Sequence, residues 1–225
     1  LNLKGKIKSI REIPYDVLEK FGKIQKDGIS ETHYYNTLFK YDEDGNANER
    51  IFYKSDSFLW KSNYKYDKDG RAIEGKGYKS DGILDWKSTY KYDENGNIIE
   101  ENRYNADGSL VGKYTFKYDN AGNEIEKDVY NSDGSLNIKY TYTYDEEGNQ
   151  VELNSFSSDG SLGGKFTSKY DNAGNEIESV YSSDDYVSTT TYEYTYDSKE
   201  NWIKKIAFEN SSPTSLTERT IEYYD

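Results

Sequence analysis

The chain has no cysteine, no methionine, two prolines and one histidine in 225 residues. Without cysteine there is no disulfide framework, no thiolate metal site and no cysteine nucleophile. The single imidazole, His33, excludes a multi-histidine metal centre and leaves at most one such group for acid–base work. Aliphatic mass is scarce as well: Leu, Ile, Val and Phe together supply 41 residues, too few for the thick core of an ordinary globule. No run approaches the roughly 18 apolar residues of a membrane helix, so no transmembrane span is expected. Positive charge is in the minority, with 29 basic against 42 acidic residues. That sign argues against nucleic acid as a partner, which needs a basic stripe. The chain starts at Leu1 and contains no Met, so an initiator and any export segment are expected to have preceded it.

Few aliphatic residues and a net charge of −13 usually mean disorder. Here 25 tyrosines raise the aromatic share to 16%. Tyrosine covers a pleated sheet well while keeping a polar tip in water. The composition therefore points to a β architecture shielded by rings.

Internal periodicity organises the chain. Tyr-Asp occurs at Tyr41, Tyr66, Tyr92, Tyr118, Tyr144, Tyr170 and Tyr196, with one step of 25 and then five of 26. An eighth pair, Tyr224-Asp225, follows after 28. Two turn signatures alternate within each unit. Tyr-Asp-x-x-Gly-Asn, as at Tyr92 to Asn97, suits a type I turn closed by a residue with positive φ. Asp-Gly-Ser-Leu, at Asp107, Asp133 and Asp159, is a second hairpin signal. The segments between turns are of strand length, lack proline and are rich in Tyr, Thr, Ile and Val. Each unit reads as one hairpin.

Alternation with period two supports strands. Phe116, Tyr114 and Leu110 share the parity of Tyr118, whereas Lys117, Thr115 and Lys113 take the other. If both turns are three-residue loops, Tyr104, Tyr130 and Phe156 join the face of the Tyr-Asp tyrosines, and Ile73, Ile99, Ile125, Val151 and Ile177 lie opposite. A four-residue loop at the Tyr-Asp turn reverses the second strand. Both registers remain open at this point.

The expected fold is all-β: a repetitive antiparallel β-hairpin meander of 26-residue units forming an elongated, twisted sheet, single-layer or spirally curled. Residues 1–31 read as an N-terminal β cap and residues 32–225 as the tandem hairpins, one continuous domain. Roughly seventeen strands at about 4.8 Å spacing make a stack of order 80 Å. Its two edge strands invite end-to-end self-association.

The repeat resembles the tyrosine-aspartate repeats of the RHS type, with their Tyr-x-Tyr-Asp-x-x-Gly core. The matching text is Tyr90-Lys91-Tyr92-Asp93-Glu94-Asn95-Gly96, Phe116-Lys117-Tyr118-Asp119-Asn120-Ala121-Gly122 and Tyr142-Thr143-Tyr144-Asp145-Glu146-Glu147-Gly148. Large RHS proteins typically place Arg after the Gly and build longer arrays; here Asn mostly follows it. The likeness is greater to short arrays in secreted or lipid-anchored proteins of Gram-negative bacteria. It implies export, to the cell exterior or to anchorage at the outer membrane or cell surface, and no particular reaction.

Among candidate sites, Asp42, Asp44 and Asn46, or Asp93, Asn95 and Asn97, space oxygen atoms like the opening of a calcium loop. A tight hairpin lacks the later bidentate acid, so these residues are read as turn stabilisers and no cofactor or metal is assigned. Glu49, Glu100, Glu126, Glu152 and Glu178 recur eight after each tyrosine and are expected in strands, in cross-strand pairs with lysine. Glu100-Glu101 and Asp184-Asp185 are the nearest approach to a glycosidase pair, but nothing marks a desolvated pocket for them. His33 would be needed for any serine triad. No catalytic residue is assigned. The strongest binding surface is the aromatic row: Trp60 and Trp86 at equivalent positions, beside Tyr64, Tyr66, Tyr90 and Tyr92. The sequence is thus read as a non-enzymatic, exported scaffold or protein-binding surface at the cell envelope, or, as the alternative, a carbohydrate-binding module using that strip.

Overall fold

The computed structural model describes residues 3–30, 36–54 and 57–224. His33, weighed above as an acid–base group, lies outside them. Dense internal contacts divide the chain into two compact units, Leu1–Leu84 with Thr190–Asp225, and Asp85–Thr189.

The first unit contains β1 (Ile7–Lys20), β2 (Lys23–Ile29), β3 (Asn36–Tyr41), β4 (Ala47–Lys54), β5 (Ser57–Tyr66) and β6 (Ala72–Lys79). Near the second unit's start comes β7 (Leu84–Tyr92), then β8 (Ile98–Asn105), β9 (Leu110–Tyr118), β10 (Glu124–Asn131), β11 (Leu136–Tyr144), β12 (Gln150–Ser157), β13 (Leu162–Tyr170) and β14 (Glu176–Ser183). Finally β15 (Tyr186–Tyr196), β16 (Trp202–Glu209) and β17 (Ser212–Tyr223) return to the first unit.

All seventeen strands belong to one sheet. Within the first unit the pairing meets its own beginning. β1 bonds β17 from Ile7↔Tyr223 to Tyr15↔Leu216, and bonds β3 from Ser9↔Lys40 to Glu12↔Thr37. The sheet therefore closes as a 16-strand antiparallel barrel. β2 is an arm folded back on the far end of β1, through Val17↔Lys26 to Lys20↔Lys23. This corrects the expectation of an elongated open or curled sheet. Closure leaves no terminal edge, and the free edges on which end-to-end self-association rested are bonded to each other. The more aliphatic N-terminal stretch supplies the seal: Ile10, 1% exposed, and Ile7 are among the few buried apolar side chains.

The Tyr-Asp turns are built by the aspartate. In the turn at Asp93 the carboxylate Oδ1 accepts the amides of Asn95 (2.9 Å) and Asn97 (2.8 Å), and Oδ2 accepts Nδ2 of Asn97 (3.0 Å). Asp42, Asp119, Asp145 and Asp171 hold their Asn partners in the same way, and Asp67 holds Arg71. Gly96 closes its turn with φ 89°, a region that glycine enters without steric cost. In the seventh turn Glu200 takes the glycine's place, at φ 62°. The carboxylate oxygens of Asp42 and Asp93 thus accept the turn's own donors.

The tyrosine of the same motif ties one turn to the preceding one. Tyr66 donates its hydroxyl to the Ala47 carbonyl (2.8 Å), Tyr118 to Ile98 (2.9 Å), Tyr144 to Glu124 (2.8 Å) and Tyr170 to Gln150 (2.8 Å). Tyr224 makes the equivalent bond to Tyr41 (2.7 Å) across the closing seam. A Tyr118→Phe exchange removes one such bond and keeps the ring. It is expected to cost about 1 kcal/mol, read as a lower urea midpoint; an unchanged midpoint would show the clasp to be inert.

Strand parity is decided by a bulge. Tyr92 pairs with Ile98, but Lys91 already pairs with Glu100, so one extra residue is inserted after each Tyr-Asp turn. The second strand is reversed as a result. Tyr104 lies opposite Lys87, Tyr130 opposite Lys113 and Phe156 opposite Lys139. These rings share the lysine face and not the face of the Tyr-Asp tyrosines, which corrects the three-residue-loop register. Ile73, Ile99, Ile125 and Ile177 stand exposed just after these turns.

Candidate ligand-binding face

The bulge makes the two faces of the sheet chemically distinct. On the lysine face, each recurring glutamate is held by lysines of the neighbouring strands. Glu126 lies 2.6 Å from Lys117 and 2.5 Å from Lys139; Glu49 lies 2.5 Å from Lys40 and 3.5 Å from Lys61. Glu100, Glu152 and Glu178 pair with Lys91, Lys165 and Lys169. Hydrogen bonds from Lys76 and then Lys65 hold Glu74 down to about 2.

The tyrosine face carries rings on one strand over small or variable residues on the next. Tyr64 stands opposite Gly75, Tyr140 opposite Ser155 and Tyr192 opposite Ala207. One enclosed region of it lies in the first unit. There β15, β16, β17, β1, β3 and β4 curve round a cavity of about 850 Å³, lined by residues of this face and by Ser30. That lining makes the tyrosine face the concave one and the lysine face the convex one in this unit. A shallower hollow of about 640 Å³, which includes Arg11, Leu38 and Thr220, lies on the other side of β1, β3 and β17.

Three cations enter the larger cavity. Arg219 is 8% exposed. Its Nε and Nη2 each reach Glu12 Oε1 at 2.7 Å, and its guanidinium lies 3.3 Å from the centroid of Trp202. Burial pulls Arg219 below its ordinary value, while the Glu12 carboxylate opposes the shift. Lys205 lies over Tyr192 at 5.1 Å and over Trp202 at 5.7 Å. Arg50 is inserted between Phe39 (4.9 Å) and Phe52 (4.4 Å), and Phe52 in turn stacks on Trp60 with centroids 3.8 Å apart. Burial also lowers Arg50 and raises Tyr41 nearby.

The residues of the expected strip are divided between the two units. Trp60, Tyr64 and Tyr66 lie on β5 in the first unit; Trp86, Tyr90 and Tyr92 lie on β7 in the second. Trp60 is covered by Phe52, Trp86 lies under the Arg103 guanidinium at 4.5 Å, and Tyr66 is spent on its clasp. What sequence reading missed is the cationic set Arg50, Lys205 and Arg219. A signal was present: nine residues after each Tyr-Asp tyrosine stand Arg50, Gly75, Glu101, Lys127, Leu153, Ser179 and Lys205, a position at which the units vary widely. Its meaning depends on the bulge, which turns that position onto the tyrosine face.

Among the described residues no helix is long and apolar enough to cross a membrane. This concerns helices only. A closed barrel crosses with strands, so the lack of an apolar run does not carry the absence of a span expected above.

A family model described as "Uncharacterised protein" matches residues 8–143. No curated protein matches the chain. Among solved structures, a porin-like protein from Bacteroides uniformis matches at 15% identity over 98% of both chains, with TM-score 0.62. A porin-like protein from Bacteroides vulgatus matches at 10% identity over 97% of this chain and 99% of that one, with TM-score 0.33. The Photorhabdus luminescens Tc holotoxin pore matches at 15% identity over 76% of this chain and 12% of that one, with TM-score 0.35. The first shows the barrel fold; the other two superpose too loosely to bear on it. Family match and full-length neighbour together overturn the assignment to RHS-type repeat arrays, since the chain matches a protein named porin-like from end to end and the family carries another description.

Proposed function

We infer that this chain, which belongs to the family described as "Uncharacterised protein" matched over residues 8–143, is a non-enzymatic β-barrel of the bacterial cell envelope. The observation that carries this reading is the closed ladder of β1 between β17 and β3, in a fold shared end to end with a protein named porin-like. Its recurrent carboxylates are committed to turn amides and to lysines, which favours a binding or scaffolding role over acid–base chemistry.

Within the envelope, the barrel stands in water, exported or anchored at the surface, and does not embed its wall in lipid. The convex face supports this. In the first unit, Lys61 and Lys76 stand at the middle of strands β5 and β6 on the lysine face. A lysine facing the centre of a bilayer costs about 2–4 kcal/mol, and a spanning barrel shows an apolar band there instead. The folded chain is therefore expected to enter the aqueous phase in detergent phase separation and to give no conductance in planar bilayers. Partition into the detergent phase with stepwise channel conductance would replace this reading with that of a pore.

A further inference from the structure

We propose that residues 4–6 form a strap, held by the seventh Tyr-Asp turn over one end of the junction of β1 with β17, and that its release lets the barrel open from that end. The turn is altered to hold it. At Asp42, Asp93, Asp119, Asp145 and Asp171 the closing asparagine donates its carboxamide to its own aspartate. Asn201 turns its carboxamide elsewhere. Its Oδ1 accepts the Lys4 amide (2.8 Å), and its Nδ2 donates to the Lys4 carbonyl (2.7 Å) and to the Tyr223 hydroxyl (2.8 Å). One side chain thereby makes with Lys4 the pair of bonds that opposed residues exchange in an antiparallel ladder. It is 2% exposed. Asp197 receives the Tyr223 hydroxyl instead, at 2.5 Å.

Two further departures serve the same contact. Glu200 stands where the motif has glycine, at φ 62°, a conformation that strains a residue with a side chain; it pairs with the Lys4 ammonium. Gly5 takes φ 85°, and a side chain there would meet Tyr223 and Lys199 at 3.4 Å. The Lys199 ammonium in turn lies 3.7 Å from the centroid of the Tyr223 ring. The strap leads directly into the seam, since the Lys6 carbonyl accepts the Tyr224 amide at 2.9 Å. The ladder is interrupted there: Ile7 pairs with Tyr223 but Ser9 already pairs with Glu222, which leaves Lys8 as an extra residue. A disrupted ladder end opens before the rest of a sheet, and the strap lies across it. Lys4 and Glu200 are exposed, so the hold rests on Asn201 more than on their ion pair.

The test is amide hydrogen exchange of the folded chain, read over residues 4–12 and, as a reference in the other unit, over β9. Asn201→Ala is expected to raise exchange over residues 4–12 at least about tenfold and to leave β9 unchanged. Gly5→Ala, outside the turn, is expected to do the same. Asn97→Ala, the equivalent substitution in a turn of the second unit, leaves residues 4–12 unchanged. Glu200→Gly separates the strap from its turn. It relieves the turn, so the urea midpoint holds or rises, while loss of the Lys4 pair quickens exchange over residues 4–12 about threefold. Unchanged exchange over residues 4–12 in both Asn201→Ala and Gly5→Ala, a rise confined to residues 4–6, or an equal rise in β9 would each overturn the proposal.

Discussion

Arg219→Ala is expected to lower the stability of the barrel by about 3 kcal/mol, the largest loss from any single side chain at the closing seam. Arg219 on β17 faces Glu12 on β1 directly in the ladder, bonds it twice and covers Trp202. Truncation leaves the Glu12 carboxylate without its partner and opens space against an indole. A buried pair that is broken on one side costs more than one replaced on both. The double exchange Glu12→Leu with Arg219→Met is therefore expected to recover most of the loss. Urea midpoints followed by tryptophan emission measure both variants. If the single and double variants unfold alike, the pair is not what secures the junction of β1 with β17.

The second large effect is acid unfolding, because one stabilising device is copied from turn to turn. Backbone and side-chain donors hold Asp67, Asp93, Asp119, Asp145 and Asp197 below their ordinary values, and Ser109, Ser135 and Ser161 do so for Asp107, Asp133 and Asp159. Lysines do the same for Glu49, Glu100, Glu126 and Glu152. A carboxylate depressed in the folded state binds its proton more readily when unfolded. Its contribution is complete above the unfolded value near pH 4 and is lost as pH falls through the folded one. Glu124, raised by burial, works in the opposite direction but stands alone among these acids. Urea midpoints are thus expected to be level from about pH 7 to about pH 5 and to fall steeply below about pH 4. Lysine and arginine left unneutralised at low pH also repel one another, but salt screens that repulsion. A fall abolished by salt would assign it to net charge instead of the turns.

On the alkaline side the sign reverses. Burial raises Tyr118 to about 12 and raises Tyr41, Tyr144 and Tyr170 as well. The stability they contribute is complete below the unfolded value near pH 10 and disappears as pH climbs through the raised ones. The clasp hydroxyls of Tyr118, Tyr144 and Tyr170 are among these groups.

Strand identity, turn positions and the pairing of glutamate with lysine were legible along the chain, because each is decided over a few residues. Asp93 and Gly96 specify their turn by geometry internal to it, and alternation from Leu110 to Tyr118 is a property of one strand. Face assignment was not legible, since a single extra residue between Ile98 and Glu100 moves Tyr104 and Glu101 to opposite sides from those a regular hairpin gives them. Trp60 and Trp86 are equivalent in the repeat, yet Phe52 stacks on one and Arg103 lies over the other.

The local chemistry of Asp, Gly and Tyr at fixed spacing determined that this protein is a run of antiparallel hairpins. Only the tertiary structure decided that the run ends on itself. Closure depends on β1 meeting β17 across almost the whole chain, a pairing with no local signature, whose free energy comes from strand edges and side chains that become neighbours only when the barrel has formed. The same long-range event gathers Arg50, Lys205 and Arg219 round one cavity, so the candidate site is a product of closure and not of any single repeat.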